Sequence, residues 1–159
     1  LGATEFRYTV DGVTTAVPVG PDGTATIRWT PAHNGDQRFE VTTRTAAGLV
    51  SSPTAYGFHV VDVPAVTSEE YPEGYHFVPV GTPGTFTFSP GRPGVVEYTY
   101  RFDLDYQPGE EHTVAATDGT ASITFAPPAY GDYVLHVTAR TADGSTSVTV
   151  EHEFTVWEP

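Results

Sequence analysis

The 159 residues include no cysteine, and all seven basic residues are arginine, so lysine is missing too. Without cysteine there is neither a disulfide framework nor a thiolate metal site, and composition carries no mark of the redox compartment. Without lysine there is no Schiff base, no P-loop lysine and no lysine-derived crosslink. Long apolar runs are absent as well. None approaches the roughly 20 residues of a membrane span, and no signal-peptide pattern opens the chain, so membrane insertion is not expected. Positive charge is scarce: the formal net charge is −13 and the arginines are scattered. Such a surface repels phosphate backbones, which argues against a nucleic-acid partner.

What is present is a globular composition, 38% hydrophobic and 13% aromatic. Segments rich in Thr, Val and aromatics alternate with period two: EFRYTVD (5–11), TATIRWTP (24–31), RFEVTTRT (38–45), GTFTFSP (84–90), VEYTYRFD (96–103), TASITFAP (120–127) and SVTVEHEFTV (147–156). These read as strands, and no segment reads as an amphipathic helix. Turn signals separate them, among them Asp11-Gly12, Asp118-Gly119 and Asp143-Gly144. Short strands spaced by turns predict an all-β sandwich or barrel.

The chain also repeats itself. DQRFEVTTRTAAG (36–48) and DYVLHVTARTADG (132–144) lie 96 positions apart. At that offset Ala25, Ile27 and Trp29 match Ala121, Ile123 and Phe125, Phe39 and Val41 match Leu135 and Val137, and Phe58 and Val60 match Phe154 and Val156. Upstream, Phe6, Tyr8 and Val10 match Tyr98, Tyr100 and Phe102 at an offset of 92, because the second copy has four extra residues in the loop around DLDYQPGEE. The matched positions share one face of each strand and are the expected core. The expected layout is an incomplete module over 1–62, a linker over 63–74 where Pro, Gly and charge break the alternation, and a complete module over 75–159.

The motifs PAVTSEEYP, PGTFTFSP, YTYRFD, DGTASITFAPPAYGDYVLHVTARTADG and the closing EFTV cover nearly all of the second copy and most of the first. Together they resemble the immunoglobulin-like and fibronectin type III-like modules repeated in large secreted proteins of high-GC Gram-positive bacteria. The resemblance implies two tandem Greek-key β-sandwiches, an extracellular, secreted or cell-surface location, and a role as spacer or protein–protein assembly unit. It implies no catalytic residues, so the chain is not expected to be an enzyme. Such modules also flank catalytic or carbohydrate-binding domains. One departure is that Tyr133, at a position where fibronectin-type modules often carry tyrosine, is Gln37 in the first copy.

A second departure is larger. In the second copy YHFVPV and GTFTFSP supply the first two strands, while the first copy opens at LGATEFRYTV with no counterpart. Phe6, Tyr8, Ile27, Phe39, Val41 and Phe58 would then lose much of their cover, at roughly 1.5–3 kcal/mol per large side chain left wet. Three arrangements meet this deficit: a trimmed module that tolerates exposure or rests on the second, a strand donated by another chain, or a reduced sandwich that suffices by itself. The partners expected are other domains of the same parent protein and a strand-donating or self-assembling protein.

Few residues invite chemistry. No HExxH, GxSxG or P-loop pattern occurs. Asp103, Asp105, Glu110 and Glu111 crowd one loop and form a calcium candidate, the only cofactor the sequence suggests, although the spacing is not that of an EF-hand. Turning the last hairpin at Asp143-Gly144 sets His136 beside Glu151 on the outer face as an ordinary cross-strand pair. His152 falls on the inner face as a histidine with one satisfied hydrogen bond. Aromatics outside the alternation, Tyr71, Tyr75, Tyr106 and Trp157, are the ligand-binding candidates if the chain is instead a carbohydrate-binding accessory module.

Overall fold

The computed structural model describes residues 2–158. The architecture is all-β and divides into two compact units, Leu1–Val60 and Val61–Pro159. No helix among the described residues is long and apolar enough to cross a membrane.

The first unit comprises β1 (Ala3–Val10), β2 (Val13–Pro18), β3 (Gly35–Thr45) and β4 (Thr54–Val60), in one antiparallel sheet of order β2-β1-β3-β4. Asp11 and Gly12, both at positive φ, close the β1–β2 hairpin with Val10 opposite Val13. Two consecutive left-handed residues make the two-residue turn whose twist matches the strands. On one face Tyr8 stacks on Phe39 and Phe39 on Phe58, and Trp29 meets the last two edge-on at 5.3 and 5.9 Å. Among the hydrophobic residues of this sheet only Val10 is buried, and among the polar ones only Gln37.

Residues 24–31, expected to be a strand, belong to no sheet. The physical reason lies in the second unit. There the matching segment is a strand because it pairs along its length with GTFTFS, and residues 2–60 hold no such neighbour. Alternation prepares a segment to be a strand; ladder bonds make it one.

The second unit comprises β5 (Ala65–Thr67), β6 (Gly74–Pro79), β7 (Gly84–Ser89), β8 (Val95–Leu104), β9 (His112–Ala115), β10 (Ala121–Phe125), β11 (Gly131–Thr141) and β12 (Val150–Trp157). A three-stranded sheet β10-β7-β5 packs against a five-stranded sheet β6-β12-β11-β8-β9. Half of the buried residues in the core between them are aromatic. Phe86 and Phe88 of β7 meet Phe102, Phe154, Tyr98 and Tyr100 at centroid distances of 5.4–5.7 Å. Leu135, Val137 and Ala139 of β11 complete it. Alternation along β7 and β11 puts every second residue in this layer, which makes the unit a β-sandwich.

Residues 63–74 correct the expected linker. They begin the sandwich: β5 pairs with β7 through Ala65–Ser89, Val66–Phe88 and Thr67–Thr87, and Pro64 and Tyr71 are fully buried. The first strand is split, its first part joining one sheet and β6 crossing to run parallel with β12 in the other. Proline and glycine at the crossing break the alternation, which gives the segment the look of a linker. Tyr71 lies so flat over the backbone of Gly84 that a Cβ there would sit 2.3 Å from its ring.

The last strand is shorter than expected, beginning at Val150. Upstream of it the Ser147 hydroxyl oxygen accepts the Ala139 N–H at 2.9 Å in place of a backbone carbonyl. Ser51, its repeat partner, does the same for Thr43 N–H at 3.0 Å.

Candidate functional site

The outer face of the five-stranded sheet carries a group of paired charged side chains. Antiparallel pairing aligns Arg101 of β8, His136 of β11 and Glu151 of β12 across three strands. The expected His136–Glu151 pair forms, with Nδ1 3.5 Å from the carboxylate. The closer partner of His136 is Asp103, at 3.0 Å from Nε2. Asp103 also accepts from Arg101 Nε at 2.9 Å and from the Gly109 N–H at 3.2 Å. Burial pushes the Asp103 carboxyl up, but these two hydrogen bonds and the Arg101 and His136 charges outweigh it and hold the pKa below its ordinary 3.8. Every group here has a partner, so the cluster braces strands rather than presenting a free acid or base.

The acidic loop does not gather its carboxylates. β8 runs on to Leu104, so Asp103 belongs to the sheet and is engaged as described. Asp105 turns the other way and accepts the Asp132 N–H at 3.0 Å. Glu110 and Glu111 are exposed. Among the described residues no group of three or more His, Asp or Glu side chains comes together to hold a metal ion. The four acids proposed for calcium therefore form no common cluster: Asp103 is held by its ion pairs and Asp105 by the turn.

The four aromatic candidates also separate. Tyr71 is corrected from ligand-binding to core: it is fully buried and its hydroxyl donates to Thr82 O at 2.6 Å. Tyr75 and Tyr106 are 83% and 97% exposed and flank a shallow groove with Asp105, Asp132 and Glu153. Asp105 and Tyr106 form a two-residue turn with both φ angles positive, 46° and 65°, where the first copy has Asp-Gly. A tyrosine in that region is strained, and here no burial of the ring offsets the cost. Trp157 is half-exposed at the end of β12. On the inner face His152 is buried and its Nε2–H donates to the Tyr71 carbonyl at 2.7 Å.

A cluster the sequence reading missed stands where the chain enters the sandwich. Asp62 is buried and pairs with Arg92 Nε at 3.1 Å, while its carbonyl accepts Val148 N–H at 3.2 Å. Arg92 Nη2 donates to the Thr141 hydroxyl at 2.9 Å, and that hydroxyl donates to Asp143. The Thr141 bond, with the Ser145 N–H, lowers the Asp143 pKa to about 2. Only the isolated arginine in SPGRPG, between two prolines, hints at this network in sequence.

Tyr133 distinguishes the two copies. Its hydroxyl donates to Ala129 O at 3.1 Å, closing the corner before β11 in the manner of sandwich folds. Gln37, the matching residue, is buried and its Nε2 has no hydrogen-bond partner.

No family model and no curated protein matches the sequence. Solved structures similar to it include the PmoD soluble domain from Methylocystis sp. ATCC 49242 (Rockwell), at 17% identity and TM-score 0.42 over 60% of this chain and 92% of that one. The fibronectin(III)-like modules of CbhA from Clostridium thermocellum align at 15% identity and TM-score 0.42, over 99% of this chain and 80% of theirs. At such scores the strand pairing described above, rather than these likenesses, defines the fold.

Proposed function

We propose that the chain is a non-catalytic structural module of a larger extracellular protein, in which the second unit acts as a spacer that carries tension. The observation that carries this reading is the path of the chain. It enters at Asp62, whose carbonyl accepts the Val148 N–H two residues ahead of β12, and leaves after Trp157 at the other end of that strand. The two points are one strand length apart, about 25 Å for eight residues. Because β6 runs parallel to β12, pulling the two ends apart drags these neighbours in opposite directions along their shared ladder. Their bonds are then loaded together rather than unzipped one by one, and the Asp62–Arg92–Thr141–Asp143 network fixes the incoming end.

Pulling the full chain from positions flanking 61 and 158 in a single-molecule instrument tests this. The second unit should release in one step, and Val78→Pro, which disturbs the β6–β12 ladder, should lower the release force more than an outer-face change such as Thr138→Ala. A gradual extension with no discrete step would contradict the spacer reading.

A second reading, a carbohydrate-binding accessory module, rests on the strained, exposed Tyr106 facing Tyr75 across a groove lined by carboxylates. It expects retention on an insoluble polysaccharide that Tyr106→Ala and Tyr75→Ala each abolish. Retention unchanged by either substitution would remove it.

A further inference from the structure

We propose that the groove between Tyr75 and Tyr106 is a docking site for an arginine-bearing segment of a separate polypeptide, with guanidinium groups laid on the two rings and forked onto the carboxylates between them. This proposal does not rest on the tension-bearing reading, and it competes with the polysaccharide reading for the same groove. All of the groove comes from residues 74–155, inside a sandwich whose two sheets are both present.

Strand pairing assembles it. Asp132 of β11 lies opposite Thr155 of β12, two residues on from Glu153 on the same face, while β6 brings Tyr75 to one flank and the turn after β8 brings Tyr106 to the other. β6 and β8 stand three strand positions apart in this sheet, which sets the flanks about 14 Å from each other. Two of the carboxylates are fixed by Oδ1: Asp105 accepts the Asp132 N–H at 3.0 Å, and Asp132 accepts the Thr155 hydroxyl at 2.9 Å. Their Oδ2 atoms lie outside these bonds. None of the ion pairs among the described residues of the second unit includes Asp105, Asp132 or Glu153.

Two further observations point to a ligand. Among the described residues three two-residue turns have positive φ at both positions, and Asp11-Gly12 and Asp118-Gly119 place glycine second. The third, Asp105-Tyr106, holds a tyrosine at φ 65° and leaves it 97% exposed. Strain kept where the ring packs against nothing is the mark of a ligand clamp. Charge is the other observation. The second unit carries fifteen acidic residues and three arginines, and Arg92, Arg101 and Arg140 are already paired with Asp62, Asp103 and Glu97. A cation brought to exposed tyrosine faces and unpaired carboxylates is attracted by both, and the flat fork of a guanidinium matches both better than an ammonium does.

The groove encloses about 110 Å³, well below the ~300–1,000 Å³ of sites that enclose a small molecule, so it suits side-chain head groups laid across it. Its arginines do not come from a second copy of the chain. Arg7, Arg38, Arg92, Arg101 and Arg140 are held in ion pairs of their own chain, and two copies at a net charge of −13 repel each other. Four residues of extended backbone span about 14 Å, so arginines four positions apart reach both rings.

The test uses the full chain and the capped peptide GRGSGRG, with a control in which both arginines are replaced by citrulline, which is neutral and of the same shape. Backbone chemical shifts of Tyr75, Tyr106, Asp132 and Glu153 are followed by nuclear magnetic resonance during titration. The expected result is saturable shifts at these residues, weakened by added salt and roughly tenfold or more weaker for the citrulline peptide. Tyr106→Gly should lower the affinity for the arginine peptide roughly tenfold while raising the melting temperature of the second unit, because glycine relieves the turn. Lost binding together with gained stability is a result that a merely structural tyrosine does not give. Glu153→Gln, on the exposed outer face, should weaken binding and leave the melting temperature unchanged. Equal binding of the two peptides, no shifts with either, or arginine-peptide binding untouched by both substitutions would refute the proposal. A lower melting temperature for Tyr106→Gly would make the ring structural and overturn the clamp. A concentration-dependent dimer in light scattering that the arginine peptide disperses would assign the groove to a second copy, and saturable shifts of the same residues with a neutral cello-oligosaccharide that displaces the peptide would assign it to polysaccharide.

Discussion

The two units repeat one sequence pattern in different surroundings, and their difference separates what a strand owes to its own residues from what it owes to its neighbours. Ala25–Trp29 and Ala121–Phe125 share their alternation, yet only the second is a strand. The second has β7 beside it. The same contrast runs through the cores. Phe154 is buried in its sandwich by Tyr71, Phe86 and Tyr133, whereas Phe58 keeps its neighbours Phe39 and Trp29 and stays partly open. A single sheet with stacked rings is a platform; a second sheet turns it into a core.

Separating the units breaks the comparison most severely. Residues 61–159 alone should unfold in one cooperative transition, with coincident near- and far-ultraviolet circular dichroism, while residues 1–60 alone should show no sharp transition. A sharp transition in the shorter piece would mean that one sheet suffices.

Next in size is a matched pair of core deletions. Phe154→Ala should cost about 3–5 kcal/mol of the second unit's stability in urea unfolding. Phe58→Ala in the full chain should cost less than half as much, because its ring already meets water. Equal costs would show the first face to be covered. Arg92→Ala should cost about 3 kcal/mol, since it leaves Asp62 buried without its partner. A change below about 1 kcal/mol would mean that water relaxes around Asp62.

The corner residues sharpen the contrast on a smaller scale and with opposite signs. Tyr133→Phe should lower stability by about 1 kcal/mol through the lost bond to Ala129. Gln37→Leu should raise stability of the first unit by about the same amount, by removing a buried donor that has no acceptor.

The smallest expected effect concerns acid. The lowered Asp103 pKa means that its stabilisation is present above the ordinary 3.8 and is lost as pH falls through the lower folded value. Asp103→Asn should therefore flatten the decline of the second unit's melting temperature below pH 4. An unaltered acid profile would assign that decline to other carboxylates.

Much of the fold was legible because β7, β8, β10 and β11 alternate cleanly and the repeat confirms which residues face inward. The β11–β12 register was legible too, since a turn at Asp143-Gly144 fixes which residues oppose each other, and His136 does face Glu151. The rest depended on partners that sequence does not display. β5 and Tyr71 hid behind Pro72, Glu73 and Gly74, whose role is to let one strand change sheets. Asp103, at the end of an expected strand, was grouped with the acidic loop, whereas β8 continues to Leu104 and puts the carboxylate against His136. Residues 24–31 had the pattern of a strand and lacked only the neighbour.

The most direct test of this account is residue-resolved amide hydrogen exchange on the full chain without any added partner, comparing residues 25–29 with 121–125. The account predicts exchange near the unstructured rate in the first segment and slow, globally limited exchange in the second. Similar protection of both would contradict it, because the first segment would then have a ladder of its own and the two units would be equally closed.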